Sequence, residues 1–155
     1  MKRISILTIC IGVLAVTFTW SGCDDEGGTD EFSEARRRCV QKINDFRATE
    51  GIPALARWYS GEPCADDEAK QDAQAGQSHS AFGQCGEAAQ NECPSWPSVD
   101  DIIDGCLQIM WDEGPGADYD DHGHYINMSS TSYEKVACGF YRTSGGAVWS
   151  VQNFK

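Results

Sequence analysis

Cysteine is the residue that most narrows what this chain can fold into. Eight occur in 155 residues, a density that suits an oxidising compartment and would be unusual in a reducing cytosol. They do not share one role. Cys10 lies in an uncharged apolar stretch from Ile4 to Trp20 that follows Lys2 and Arg3, the charged-then-hydrophobic pattern of a secretory signal. No later stretch is apolar for long enough to span a membrane.

The leader closes on Trp20-Ser21-Gly22-Cys23. Small residues before a cysteine resemble a bacterial lipobox, in which Cys23 is lipidated and becomes the first residue of the mature protein. Trp20 stands where an aliphatic residue is usual, so ordinary cleavage nearby and an uncleaved anchor helix are the alternatives. Export follows in each case, with residues 1–22 as the leader. Six cysteines are then left for the domain: Cys39, Cys64, Cys85, Cys93, Cys106 and Cys138. An even number in an exported domain reads as three disulfides, with 15 pairings open, each contributing about 2–4 kcal/mol. Zinc ribbons are disfavoured because no Cys-x-x-Cys pair is present.

Charge removes another class. The formal net charge is −12. Without Lys2 and Arg3, 10 basic residues face 24 acidic ones and the exported chain carries −14. Such a surface repels phosphate backbones, so nucleic acid is excluded as a partner. A composition of 41% hydrophobic and 10% aromatic residues supports a packed core. Residues 23–32, largely Asp, Glu and Gly, read as a solvated tether reaching about 15–20 Å. Residues 33–155 form one domain.

Within that domain a first helix is expected from Ser33, a good cap residue. Ala35, Cys39, Ile43 and Phe46 share its inner face, and Gly51 and Pro53 end it. A second helix fits Pro63 to Ala75, with a stripe of small residues at Ala65, Ala69 and Ala73. Ser98 caps a third, whose apolar face is Ile103, Cys106, Leu107 and Met110 and whose end is Gly114. Lys135 to Arg142 and Ala147 to Phe154 read as strands joined by Thr143-Ser144-Gly145-Gly146, and Tyr125 to Met128 reads as a short extra strand. Helices followed by a small antiparallel sheet give an α+β layered domain.

Chemistry-bearing residues gather at the junctions between these elements. They are His79 in Gln77-Ser78-His79-Ser80, Glu87 in Cys85-Gly86-Glu87, Glu113 in Trp111-Asp112-Glu113-Gly114, and His124 in Gly123-His124-Tyr125. Asn44 and Arg47 precede Gly51, Pro53 and Leu55. Val136-Ala137-Cys138-Gly139-Phe140 and a closing Trp149 to Phe154 follow. In this order the motifs resemble the CAP superfamily, the SCP domain of cysteine-rich secretory proteins, antigen 5 and pathogenesis-related 1 proteins, from Asn44 to Phe154. The resemblance implies a three-layer α-β-α sandwich in which His79, Glu87, Glu113 and His124 converge on a central cleft. Imidazoles with carboxylates suit Zn2+ or another divalent cation. Ala88 stands where the family has asparagine. Glu113 lies two residues past Trp111 rather than the usual three, which leaves Asp112 as its rival.

Other patterns carry less. His122 reads as a solvated loop residue, or as an extra ligand sharing one side of a strand with His124. Asp118, Asp120 and Gly123 start like a calcium loop, but His122 and Ser129 fall where oxygen ligands belong. Asn127-Met128-Ser129 matches a glycosylation sequon by chance. Ser80 beside His79 does not make a nucleophile–base pair, and no hydrolase elbow, His-Glu-x-x-His pair or phosphate loop occurs. The sequence therefore points to an exported, lipid-anchored, non-enzymatic binding module. Its cleft takes a divalent cation or a small ligand, including a lipid or an envelope component. A metal-dependent hydrolase of peptide or envelope substrates, or a structural or adhesive surface protein, is the alternative.

Overall fold

A computed structural model describes residues 30–155. The leader 1–22, the lipidation candidate Cys23 and most of the 23–32 tether lie outside the described residues. Helix α1 spans Ser33–Thr49. Ser33 is its first helical residue rather than its cap, because Asp30 holds the entry: its carbonyl accepts from Ser33 N at 2.9 Å and its Oδ1 from Phe32 N at 3.2 Å. Strand β1 (Ala56–Arg57) and a 3-10 turn (Tyr59–Gly61) lead to α2, Glu62–Ala75, which Gly76 closes at φ +64. Only glycine takes that left-handed turn without a Cβ penalty.

Strand β2, Ala89–Trp96, follows a stretch without helix or strand. The third expected helix is one continuous run: α3 (Val99–Asp101), a π-helical turn (Ile102–Cys106) and α4 (Leu107–Asp112). Ser98 caps it, accepting from Asp101 N at 3.1 Å. Helix α5 spans Tyr119–Ser129, and strands β3 (Lys135–Arg142) and β4 (Val148–Phe154) form the closing hairpin.

Two expectations change. Tyr125 to Met128 is not a strand but the second half of α5, which Asp118 caps by accepting from Asp120 N. That cap and the face Asp120, His124 and Asn127 set a helical period that the four β-prone residues alone conceal. β2 was not expected, because Gln90, Asn91 and Glu92 have low strand propensity, and here tertiary context overrides it. β2 is an edge strand, where Pro94 is tolerated, and the register shifts between Cys93 and Trp96.

The sheet order is β1-β3-β4-β2, antiparallel except for the parallel β1–β3 pair. One face packs on α1, α4 and α5 through Ile43, Leu107, Met128, Val136, Phe140 and Phe154. The other meets α2, where Ala65 and Ala69 lie against Ala137 and Val151. These are the three layers, α-β-α. Disulfides tie them together: Cys39–Cys138 joins α1 to β3, Cys93–Cys106 joins β2 to the π turn, and Cys64–Cys85 joins α2 to the segment before β2. Three such bridges fit an oxidising compartment.

Buried polar groups fix how the helices dock. Arg47, 1% exposed, donates to the carbonyls of Pro53, Met128 and Ser130 at 2.7–2.8 Å. It thereby anchors the C-terminal end of α5. Asn44 exchanges two hydrogen bonds with the Leu55 backbone. On the opposite face the small-residue stripe brings α2 into backbone contact with β3. A Cβ on Gly139 would collide with the Ala65 carbonyl group. Gly139→Ala is therefore expected to cost about 2–3 kcal/mol. A urea midpoint unchanged from the parent would contradict this close approach.

Candidate functional site

His79 sits in the segment between α2 and β2, in the left-handed region at φ +59. What holds this non-helical segment is a row of buried carboxylates. Asp72 Oδ1 accepts from Ser80 Oγ at 2.6 Å and Ala81 N at 2.8 Å. Glu92 Oε2 accepts from His79 N at 2.6 Å, and Glu68 Oε1 from Cys85 N at 3.2 Å. Glu87 Oε1 accepts from Gly83 N. Glu68 and Asp72 are fully buried, while Glu92 and Glu87 are 4% and 9% exposed. Being four apart on α2, Glu68 and Asp72 share one face.

Four buried acids with few donors cannot all be ionised. Burial pushes Glu92 up to about 8, with Asp72 and Glu68 adding to the rise against the His79 N–H. Burial likewise pushes Glu68 up to about 7, reinforced by Glu87 and opposed by the Asn153 amide. Asp72 Oδ2, Glu92 Oε1 and Glu87 Oε2 have no donor among the described residues. Glu92 pairs with Asp72 and Glu68 with Glu87, so a proton in each pair supplies the missing donor.

The His79 ring is oriented through Gln90. Gln90 Nε2 donates to Glu68 Oε2 at 3.1 Å and Asn153 Oδ1 at 3.0 Å, which fixes Gln90 Oε1 toward His79 Nδ1 at 2.8 Å. An amide oxygen only accepts, so Nδ1 carries the hydrogen, and in the neutral tautomer the lone pair sits on Nε2, which has no hydrogen-bond partner among the described residues. His124 is fixed likewise by a carboxylate. Glu113 pairs with His124 Nδ1, and its Oε2 accepts from His124 N at 2.9 Å. Trp111 stacks on Phe46 at 5.3 Å and packs at a tilt against Tyr125 at 4.8 Å, which sets the end of α4 against α5 and carries Glu113 to His124.

His79 and His124 line one cavity of about 220 Å³ with Gln90, Tyr119, Asp120 and Asn127. A second space of about 440 Å³ adjoins it through His79, Gln90, Tyr119 and Asn127 and runs on to Phe82, Ile126 and Tyr133. The cleft thus has an imidazole end and an aromatic end. Glu113 reaches it through His124, whereas Glu87 faces Glu68 and does not line the cleft. Among the described residues, the one group of three His, Cys, Asp or Glu donors within 4.8 Å of one another is Cys64, Glu68 and Cys85. Its sulfurs form a disulfide and are not thiolate ligands.

Several neighbours take structural roles. His122 is a helical residue rather than a solvated loop residue. Its Nδ1 meets the Glu113 and Gly114 carbonyls at 2.7 and 3.0 Å, the end of α4, and a helix does not put its ring beside that of His124 as a strand would. Ser80 is bound to Asp72, with no imidazole on its hydroxyl. Asn127 is 2% exposed and bonded to Asn91 and Tyr119, which removes it as a glycan acceptor. Asp112 meets Gln108 on the exposed side. Gln90, Glu68, Asp72 and Glu92 were missed from the sequence. The signal available was a strand rich in polar residues facing an i, i+4 acidic pair.

The model of the cysteine-rich secretory protein family (CAP) matches residues 40–154. The chain belongs to this family. Among solved structures, this CAP protein is similar to an outer surface protein of Borrelia burgdorferi, with 16% identity, a TM-score of 0.57, and 81% of this chain and 96% of that one covered. It is also similar to venom allergen-like protein 4 of Schistosoma mansoni, with 14% identity, a TM-score of 0.47, and 79% and 90% covered. The Borrelia likeness concerns the fold alone. No curated protein matches the sequence.

The buried acids give the CAP domain a pH signature. Glu92 and Glu68 hold protons in the folded state at pH values where the unfolded chain, near 4.5, has released them. Folding therefore takes up protons, and stability falls as pH rises from about 5 to about 8. Glu92→Gln, which imitates the protonated acid, is expected to flatten this slope. Urea midpoints that hold level or rise across the window in the parent would contradict the assignment.

Proposed function

We propose that this CAP domain is an exported binding module, lipid-anchored through Cys23, whose cleft takes a divalent cation at His79 and His124 and a small ligand along its aromatic end. One observation carries the cation reading: two imidazoles on one cavity, each with Nδ1 held by an acceptor and with no partner on Nε2 among the described residues. Metal-ligating histidines are usually oriented in this way, by an acceptor on the other ring nitrogen. His79 and His124 would hold the ion, with Gln90 and Glu113 behind them fixing tautomer and angle. A bound zinc-type cation supplies Lewis acidity and a site for a ligand oxygen or nitrogen.

The aromatic end, with Phe82 and Tyr119 half-exposed, suits the apolar part of a small ligand, whether lipid or envelope component. Export is supported by the leader pattern, by three disulfides, and by a structural neighbour that is itself named an outer surface protein. A hydrolase acting through Ser80 is not favoured, because Asp72 occupies its hydroxyl and no imidazole reaches it. A metal-dependent hydrolase would use the same two histidines, and a turnover screen on peptides and glycans separates it from a binding module.

The test is a Zn2+ titration of the full-length protein with its disulfides intact. His79→Ala and His124→Ala should each weaken binding at least tenfold, and Glu113→Gln by about 10–100-fold, with unchanged circular dichroism. A parent that binds no zinc, or variants that bind as the parent does, would overturn the reading.

A further inference from the structure

We propose that Asp120 is the carboxylate ligand of the cation held by His79 and His124, an assignment that rests on the cleft reading above. Its basis is the helical state of residues 119–129. Asp120, Gly123, His124 and Asn127 fall at i, i+3, i+4 and i+7 of α5 and all line the cavity that contains His79. Residues four apart on a helix are neighbours on its surface, the spacing by which one helix presents two ligands to one metal. Gly123, between the two, adds no side chain to this face.

Availability separates Asp120 from the other acids nearby. Glu113 is committed to His124 Nδ1 and to the His124 and Tyr125 backbone N–H groups. Glu87 is committed to Gly83 N, faces Glu68, and does not line the cavity. The Asp120 carboxylate has no hydrogen-bond partner among the described residues, and its backbone N–H donates to Asp118. Two neutral imidazoles offer a divalent cation no charge, and one carboxylate supplies it. Two nitrogens and one oxygen favour zinc-type ions over magnesium or calcium, which take oxygen ligands. The three donors do not yet lie within 4.8 Å of one another. Asp120 is exposed, and its side chain turns inward on binding with no existing bond to lose.

Co2+ absorption and Zn2+ competition on the full-length, disulfide-intact protein test this. Asp120→Asn should weaken Co2+ binding at least tenfold and change the visible spectrum, while Asp121→Asn, at an exposed position outside the cavity lining, leaves both as in the parent. If Asp120→Asn binds as tightly as a parent that does bind, the Asp120 assignment falls and the two-histidine reading stands. An equal loss in Asp121→Asn would reduce the effect to bulk charge and overturn the assignment. A parent that takes up no Co2+ or Zn2+ removes both readings together.

Discussion

The cleft depends on four buried carboxylates that hold a segment with no regular structure of its own. Backbone N–H groups between α2 and β2 have no ladder to join, and an unpaired buried donor is costly. Asp72, Glu92, Glu87 and Glu68 accept from Ala81, His79, Gly83 and Cys85 in turn, so side chains replace the missing secondary structure. The same row of acids fixes the Gln90 amide, and through it the His79 ring. Burial, with neighbouring acids adding to it, raises the proton affinity of Glu92 and Glu68, which couples the scaffold to pH in the neutral range.

The two histidines reach the cavity by different routes. His79 comes from the held segment and is oriented by a neutral amide. His124 comes from α5, which Arg47 clamps at its C-terminal end and Trp111 packs against α1, and it is oriented by a carboxylate. A carboxylate behind an imidazole makes it a stronger donor than an amide does, so the two rings are chemically unequal although they share one space.

Much of this was legible from the residues. Six cysteines, the inner face of α1, the alanine stripe of α2 and the closing hairpin all follow from spacing and local chemistry, and the order of motifs identifies the family. What escaped were elements whose local signals oppose their final state. β2 carries Gln90, Asn91 and Glu92 into the interior because the cleft uses those side chains, not because they favour strands. The Tyr125 to Met128 run looks like a strand until Asp118 is recognised as a cap. Glu113 and Glu87, alike as sequence motifs, differ in place: one binds the back of His124, and the other is paired with Glu68 one layer away. Only tertiary packing separates them.

The orientation of the two rings is the claim on which the functional account turns, and imidazole nitrogen NMR on the metal-free protein measures it directly. The structure predicts that the neutral form of both His79 and His124 is the Nδ1–H tautomer, with the lone pair on Nε2. Rings protonated at Nε2 instead would show that neither Gln90 nor Glu113 sets the tautomer, and would contradict a cleft built to offer two imidazole lone pairs.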